Sequence, residues 1–297
     1  MHSPFVGRPI GFVTYSGKPG LTEDDQLAVA ALARRGVPAE PLIWNDVSVG
    51  WDQYAALVLR STWDYHRSAE AFVEWLVRVE ASGNQLWNPA GLVRWNMDKR
   101  YLRELEGQGI AITPTVWLEN GETASLRSLL EANGWDRAVV KPSLSATAFL
   151  TWRTTVAQAA DRQAELDQML QRGAVLVQKY EESIERGEWS LIFFNGGFSH
   201  AVLKIPERGD FRVQKEYGGT SLPDTAPLGA IAMAERTLSH VRFPWLYARV
   251  DLIESDRRWL LMELEMLEPD LFLRHDPSAP GRFAKAIVGK VGQGEAG

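Results

Sequence analysis

Cysteine is absent from the 297-residue sequence, which excludes disulfides, thiolate metal ligands and a cysteine nucleophile and is consistent with a reducing compartment. Histidine is scarce: His2, His66, His200, His240 and His275 are the full set, and no two fall at a metal-binding spacing, which argues against zinc. No apolar stretch approaches the ~20 residues needed to span a bilayer. No run of Lys and Arg offers a phosphate-tracking stripe, and the formal net charge of −6 argues against a nucleic-acid surface. The opening segment MHSPFVGRPIGFVTYSG lacks the charged start and apolar core of a secretory signal. A soluble, cytoplasmic protein without membrane or nucleic-acid partners is expected.

What is present is enough apolar residue, 45% of the chain, for a sizeable core, and a length that fits about two domains. The first third alternates strand and helix: strands over Pro9–Ser16, Ala39–Trp44, Ala55–Ser61 and Gln85–Trp87, helices over Glu23–Arg35 and Ala69–Ala81. That alternation predicts a small parallel sheet covered on both faces. Further on, a helix ending near Gly107 is followed by strands at Thr113–Leu118, Ala138–Lys141, Phe149–Thr154 and Ala174–Tyr180, with helices over Leu126–Ala132 and up to about Gln171. After Tyr180 the pattern is mainly antiparallel, with a hairpin turn at Asn195-Gly196-Gly197, a helix over Leu228–His240 and a last one over Gly281–Lys290.

The segment from Leu246 to Leu267 reads as a hairpin with an acidic cluster. Its second arm places Leu260, Met262, Leu264 and Met266 on one face and Glu263 and Glu265 on the other, roughly 6.5 to 7 Å apart. A turn centred on Arg257 sets Asp251 opposite Glu263 and Arg249 opposite Glu265. Opposed like charges destabilise a strand pair, so a cation between Asp251 and Glu263 is one reading, with magnesium the natural hard ion for oxygen ligands. The other is a solvated face balanced by Arg249, Arg257 and Arg258.

Lysines at two further places can meet phosphate: Lys99, near a helix start, and Lys141, closing the strand Ala138–Lys141. Each also fits a surface residue. The loop between Pro142 and Thr151 carries hydroxyls but no glycine, a weak match to a phosphate cradle. Arg212 lies in a cation-rich loop from Lys204 to Gly219, either a mobile surface segment or a fork for an anion, with Gly218 and Gly219 permitting close backbone approach. In open α/β sheets ligands gather beyond the strand carboxyl ends. Arg60, Thr62, Trp63, Asp64 and Tyr65 are therefore substrate candidates, or else simply a packed loop.

The order of these segments resembles the ATP-grasp superfamily, whose members hold ATP between two α+β lobes. Lys99 matches the first ATP lysine and Lys141, in Val140-Lys141-Pro142, the second; Gln178-Lys179-Tyr180 is similar to the inter-lobe hinge at the adenine, and Glu188, in Gly187-Glu188-Trp189-Ser190, to the ribose acid. Ile205-Pro206 through Phe211-Arg212 to Gly218-Gly219 resembles the glutathione synthetase type. Arg249-Val250-Asp251 and Glu263-Leu264-Glu265 resemble its magnesium strands, with Glu265 standing where the usual Glu-x-Asn pattern has asparagine. Over nearly the whole chain the resemblance is greatest to the O-ureido-serine cyclo-ligase (D-cycloserine synthetase) group. It is carried by Arg60 to Tyr65, Gly187 to Ser190, Ser199 to Val202 with Lys204, Phe211 to Gln214, Tyr247 to Asp251 and Met262 to Phe272.

The resemblance implies an α/β and α+β fold: an N-terminal parallel α/β domain (1–94), a first ATP-grasp lobe (95–180), a second lobe with the magnesium hairpin (181–291) and a flexible tail (292–297). It implies a cytoplasmic ATP-dependent carboxylate–amine ligase of antibiotic biosynthesis that works through an acyl phosphate and uses ATP and Mg²⁺ on an amino-acid-like small molecule, with a homodimer as one expected assembly. Lys99 and Lys141 would hold the α- and β-phosphates; Gln178, Lys179 and Tyr180 the adenine; Glu188 the ribose; Asp251, Glu263 and Glu265 magnesium. Arg212, Arg249 and Lys204 would face the γ-phosphate and acyl phosphate, and Arg60, Thr62, Trp63, Asp64, Tyr65, Gly218 and Gly219 the substrate. An intermolecular amino acid or peptide ligase and a non-catalytic nucleotide-binding module are the alternatives.

Overall fold

Four parallel strands open the fold: β1 (Ile10–Thr14), β2 (Ala39–Ile43), β3 (Ala56–Ser61) and β4 (Leu86–Trp87), in the order β2-β1-β3-β4. The structure is a computed structural model, describing residues 8–146, 148–207, 210, 212–213 and 217–291. The expected flexible tail, and Phe211 and Gln214 of the cation-rich loop, lie outside the described residues. β1 and β3 read as continuous apolar runs because both faces are covered. Ile10, Phe12, Ala56 and Val58 meet α1 (Glu23–Ala33), whereas Val13, Leu57 and Leu59 meet α2 (Ala69–Ala81). Thr22 caps α1 by accepting from the Asp25 N–H at 3.1 Å.

A short helix, α3 (Ala90–Met97), had no counterpart in the sequence reading. It leads to Lys99 and α4 (Tyr101–Gly107). A second, antiparallel sheet follows, in the order β5-β8-β6-β7: β5 (Thr115–Leu118), β6 (Arg137–Pro142), β7 (Trp152–Thr155) and β8 (Val175–Lys179). Its core is closed by α5 (Leu126–Asn133) and α6 (Gln163–Leu170). The strand expected at Phe149–Thr154 begins later, because Ala148 and Leu150 take left-handed φ of 53° and 52° and turn the chain there.

The third sheet is antiparallel in the order β11-β10-β9-β12-β13. It comprises β9 (Glu188–Phe194), β10 (Gly197–Ile205), β11 (Thr220–Pro223), β12 (Tyr247–Ser255) and β13 (Arg258–Glu265), over α7 (Leu228–Ser239). Asn195 and Gly196, with φ of 46° and 89°, make the tight β9–β10 turn the sequence predicted. The last helix, α8 (Ala279–Val291), packs on α1 and on Phe194 and Tyr247, tying this sheet to the N-terminal one.

In the β12–β13 hairpin Arg249 lies opposite Glu265 and Asp251 opposite Glu263, as the spacing predicted. The apolar face differs. Asp256 and Arg257 form a two-residue left-handed turn (φ 48° and 61°), and a bulge then sets Leu252 opposite Leu261. A bulge shifts the alternation by one residue. Leu260 and Met262 consequently join a small cluster with Tyr180, Ile184, Val213 and Ile253, while Leu261, Leu264 and Met266 face the main core.

Candidate active site

The three sheets enclose a cleft of about 850 Å³ whose lining includes Met262, Glu263, Glu265, Lys99 and Lys141. β13 is an edge strand; at Leu261 its outer backbone groups bond the backbone of Ala111 (2.8 Å) and Thr113 (3.3 Å), and further along they are closed by side chains. Asn96 donates to Leu264 O (2.8 Å) and accepts from Met266 N (2.7 Å), and the Tyr101 hydroxyl accepts from Leu264 N (2.9 Å). With the edge pinned, Glu263 and Glu265 are held on the cleft face.

Asp251, Glu263 and Glu265 each offer an oxygen within 4.8 Å of the others. The protein's own cations already answer the like-charge problem. Arg249 bonds Asp251 (3.0 Å) and pairs with Glu265, Lys204 meets Asp251 (3.0 Å) and pairs with Glu188, Lys99 meets Glu263 (3.2 Å), and the Ser190 hydroxyl donates to Asp251 (2.5 Å). Burial opposes ionisation of Asp251, but Arg249, Lys204 and Ser190 outweigh it and hold its pKa at about 2. For Glu263 the same burial is outweighed by Lys99 and Lys141, and its pKa falls. Glu265 goes the other way: burial, with Glu263 and Asp251 beside it, prevails over Arg249 and lifts it to about 8. All three donors are carboxylates, the hard oxygen set that suits magnesium.

Lys99 also donates to the Ser145 carbonyl (2.7 Å), and its own N–H bonds Ser143 O (2.8 Å), so it organises the glycine-free loop after β6. Lys141 is pushed below its ordinary value by burial and by Lys99, against the pull of Glu263. Gln178 and Lys179 lie on β8. Gln178 is buried against Thr115 (3.0 Å), Lys179 meets Glu181 (3.1 Å), and Tyr180 donates to Glu185 (3.2 Å). All three line the cleft, as does Glu188, whose carboxyl is raised by burial in spite of Lys204. Arg212 lines it too, its fork held by Asp210 (2.7 Å) and stacked 3.6 Å from the Tyr217 ring. Gly219 borders the cleft; Gly218 has φ of 82° and a Cβ there would meet Glu207 at 3.2 Å.

Of the substrate candidates, Arg60, Trp63 and Tyr65 reach the cleft. Arg60 is buried, bonded to Asp25 (2.7 Å) and Pro269 O (2.9 Å), with Nη1 lacking a partner among the described residues. Thr62 is buried, its hydroxyl without a partner among the described residues, and Asp64 accepts from the Trp44 indole (2.8 Å); neither is part of the cleft wall. The sequence reading missed Asp24, Asp270 and Arg274. Arg274 meets Asp24 (3.1 Å) and Asp270 (3.0 Å) at the N-terminal end of the cleft. Burial and Asp270 lift Asp24 to about 7. Acids in a first helical turn read as partners of the helix dipole, and no sequence spacing links Asp24 to Asp270.

Residues 10–88 match the family model described as the N-terminal domain of D-cycloserine synthetase DcsG. The chain is 31% identical over 276 residues to the cycloserine biosynthesis protein DcsG of Streptomyces lavendulae, covering 86% of this chain and 90% of that one. The crystal structure of D-cycloserine synthetase DcsG superposes with a TM-score of 0.86 at 28% identity, over 95% of this chain and 99% of that one. A RimK domain ATP-grasp protein from Sphaerobacter thermophilus shares the fold at a TM-score of 0.69 and 16% identity, over 94% and 98% of the two chains.

Proposed function

Because the chain belongs to the D-cycloserine synthetase family of ATP-grasp proteins, and is thus an ATP-dependent ligase forming carbon–nitrogen bonds, we propose that it works through an acyl phosphate and closes a ring within a ureido amino acid of the O-ureido-serine type. In this reading the substrate carboxylate attacks the γ-phosphate of ATP, releasing ADP. A nitrogen of the same molecule then displaces phosphate from the acyl carbon.

The observation that carries the proposal is the convergence of Lys99, Lys141, Lys204 and Arg249 on the carboxylates Glu188, Asp251, Glu263 and Glu265 within one cleft. Formally the two sets balance, so a nucleoside triphosphate entering the cleft needs further positive charge. Asp251, Glu263 and Glu265 are suited to hold magnesium, which when bound would supply charge neutralisation at the phosphate oxygens. In this reading Lys99 and Lys141 hold phosphate oxygens, Arg249, Lys204 and Arg212 face the transferred group, Gln178 to Tyr180 meet the base and Glu188 the ribose; all of them line the cleft. No side-chain nucleophile is required. Ring closure asks the cleft mainly to fold the substrate and exclude water, a task to which the aromatic rings of Trp63 and Tyr65 in its lining are suited.

The test is ADP release from ATP and magnesium with D- and L-O-ureidoserine, other amino acids and dipeptides, with mass spectrometry of the products. A product lighter than the carboxylate supplied, by at least one water, supports cyclisation. A joined, heavier product means an intermolecular ligase, and ATP binding without ADP release means a non-catalytic module.

A further inference from the structure

The segment after the acidic hairpin is held in an unusual way. Six consecutive backbone carbonyls each meet a different side chain: Met266 O meets Asn88 Nδ2 (2.7 Å), Leu267 O the Tyr247 hydroxyl (2.8 Å), Glu268 O the Trp63 indole N–H (3.0 Å), Pro269 O Arg60 Nη2 (2.9 Å), Asp270 O Arg249 Nη1 (3.2 Å) and Leu271 O His200 Nε2 (2.9 Å). The donors come from the N-terminal sheet and its loops and from β10 and β12. A chain clamped at every peptide has little freedom to move the side chains it presents.

Glu268, in the middle of this segment, lines the cleft. Among the described residues no lysine or arginine lies within ion-pair distance of its carboxylate, in contrast to Glu188, Asp251, Glu263 and Glu265, each of which has a cationic partner. Its carboxylate bonds its own backbone N–H. Burial, outweighing Lys99, lifts it to about 7. A partly buried carboxylate without a counter-ion is costly, and a cationic ligand group relieves that cost.

We propose that Glu268 is a specificity-determining residue that receives the α-ammonium of the substrate, so that the cleft selects carboxylates bearing a free amine on the adjacent carbon. The inference rests on the ligase reading, in which the reacting carboxylate lies near Arg249 and Lys204. An α-ammonium is two bonds from that carboxyl carbon, and Glu268, which lines the same cleft as Arg249 and Lys204 and has no ion-pair partner among the described residues, is a carboxylate open to it. Trp63, which fixes the Glu268 peptide, and Arg60, which fixes the next one, act as positioning residues for it.

The experiment compares O-ureidoserine with its deamino analogue, 3-(ureidooxy)propanoic acid, on wild type and Glu268→Gln with ATP and magnesium, after thermal unfolding has shown both proteins folded. A charged hydrogen bond of this kind corresponds to about a 10- to 100-fold change in affinity. Expected is a rise of that size in KM for O-ureidoserine in Glu268→Gln with kcat little changed, no change for the deamino analogue, and partial recovery in Glu268→Asp. Equal KM values for both compounds in both proteins, or an equal loss of kcat on both compounds, overturns the assignment. If wild type releases no ADP with either compound, the ligase reading on ureido acids fails by itself. Calorimetric binding of the same two compounds then decides: an amine preference lost in Glu268→Gln upholds the role of Glu268, and no preference overturns it.

Discussion

Arg249 on β12 faces Glu265 on β13, and its guanidinium holds Glu265 and Asp251 together. The position of Glu265 is the one at which the resembling pattern has asparagine, so this chain puts a carboxylate where a neutral oxygen donor would serve. Glu265→Asn keeps an oxygen in place and removes the acid that burial lifts to about 8. We expect ADP release to persist, with the magnesium needed for half-maximal rate raised by about tenfold. A magnesium titration of the rate checks this.

Asn88 is fully buried and joins the N-terminal sheet to the hairpin. It donates to Tyr247 O (2.9 Å) and Met266 O (2.7 Å) and accepts from Leu246 N (2.6 Å). Asn88→Leu strands three buried backbone groups, at about 1–3 kcal/mol each. A loss of at least about 3 kcal/mol is expected in urea unfolding.

That connection explains what could and could not be read from the sequence. The elements were legible because β1 and β3 are continuous apolar runs and the β9–β10 turn carries Asn-Gly. The opposition of Asp251 to Glu263 was read from a turn centred on Arg257; the actual turn at Asp256 and Arg257 is offset from that centre, and the bulge restores the same pairing. The bulge at Met262 was not legible, since no residue type there demands it, and with it went the face of Leu260 and Met262. Lys99, Lys141, Glu188, Arg212 and the three hairpin acids were all singled out and all line one cleft. Asn88, Asn96, Asp24 and Asp270 were passed over because their roles depend on contacts more than 150 residues away in sequence, with one exception: Asp270 meets Arg274 nearby. A buried asparagine that caps a distant strand has no local signature.

The Asp24–Asp270–Arg274 cluster sets a pH dependence. Asp24 sits at about 7 in the folded protein, raised from 3.8 by burial and by Asp270. An acid raised on folding contributes stability that is fully present below its unfolded value and is lost as pH rises through the folded one. Between about pH 4 and 7 wild type therefore loses a contribution that Asp24→Asn lacks. The melting temperature of Asp24→Asn should gain on that of wild type across this window, by roughly 3 °C or more at pH 8. A constant difference with pH would refute the raised titration of Asp24 in the folded protein.

Ala148 and Leu150 hold left-handed backbone in the loop whose Phe149 ring lies 5.0 Å from that of His66. Left-handed geometry costs a non-glycine residue about 1–2 kcal/mol. Ala148→Gly removes part of that strain but gives the unfolded chain more freedom, so a net gain of no more than about 1 kcal/mol is expected in thermal unfolding. A loss of stability would show that the Ala148 side chain contributes packing that outweighs its strain.

The proposed ligase chemistry requires the acidic hairpin to serve phosphoryl transfer rather than merely to balance Arg249, Lys204 and Lys99. The most direct measurement is O-ureidoserine-dependent release of ADP from ATP by Asp251→Asn and Glu263→Gln, each verified as folded. A fall of at least about 100-fold in each variant is predicted. Rates equal to wild type in the folded variants would contradict it.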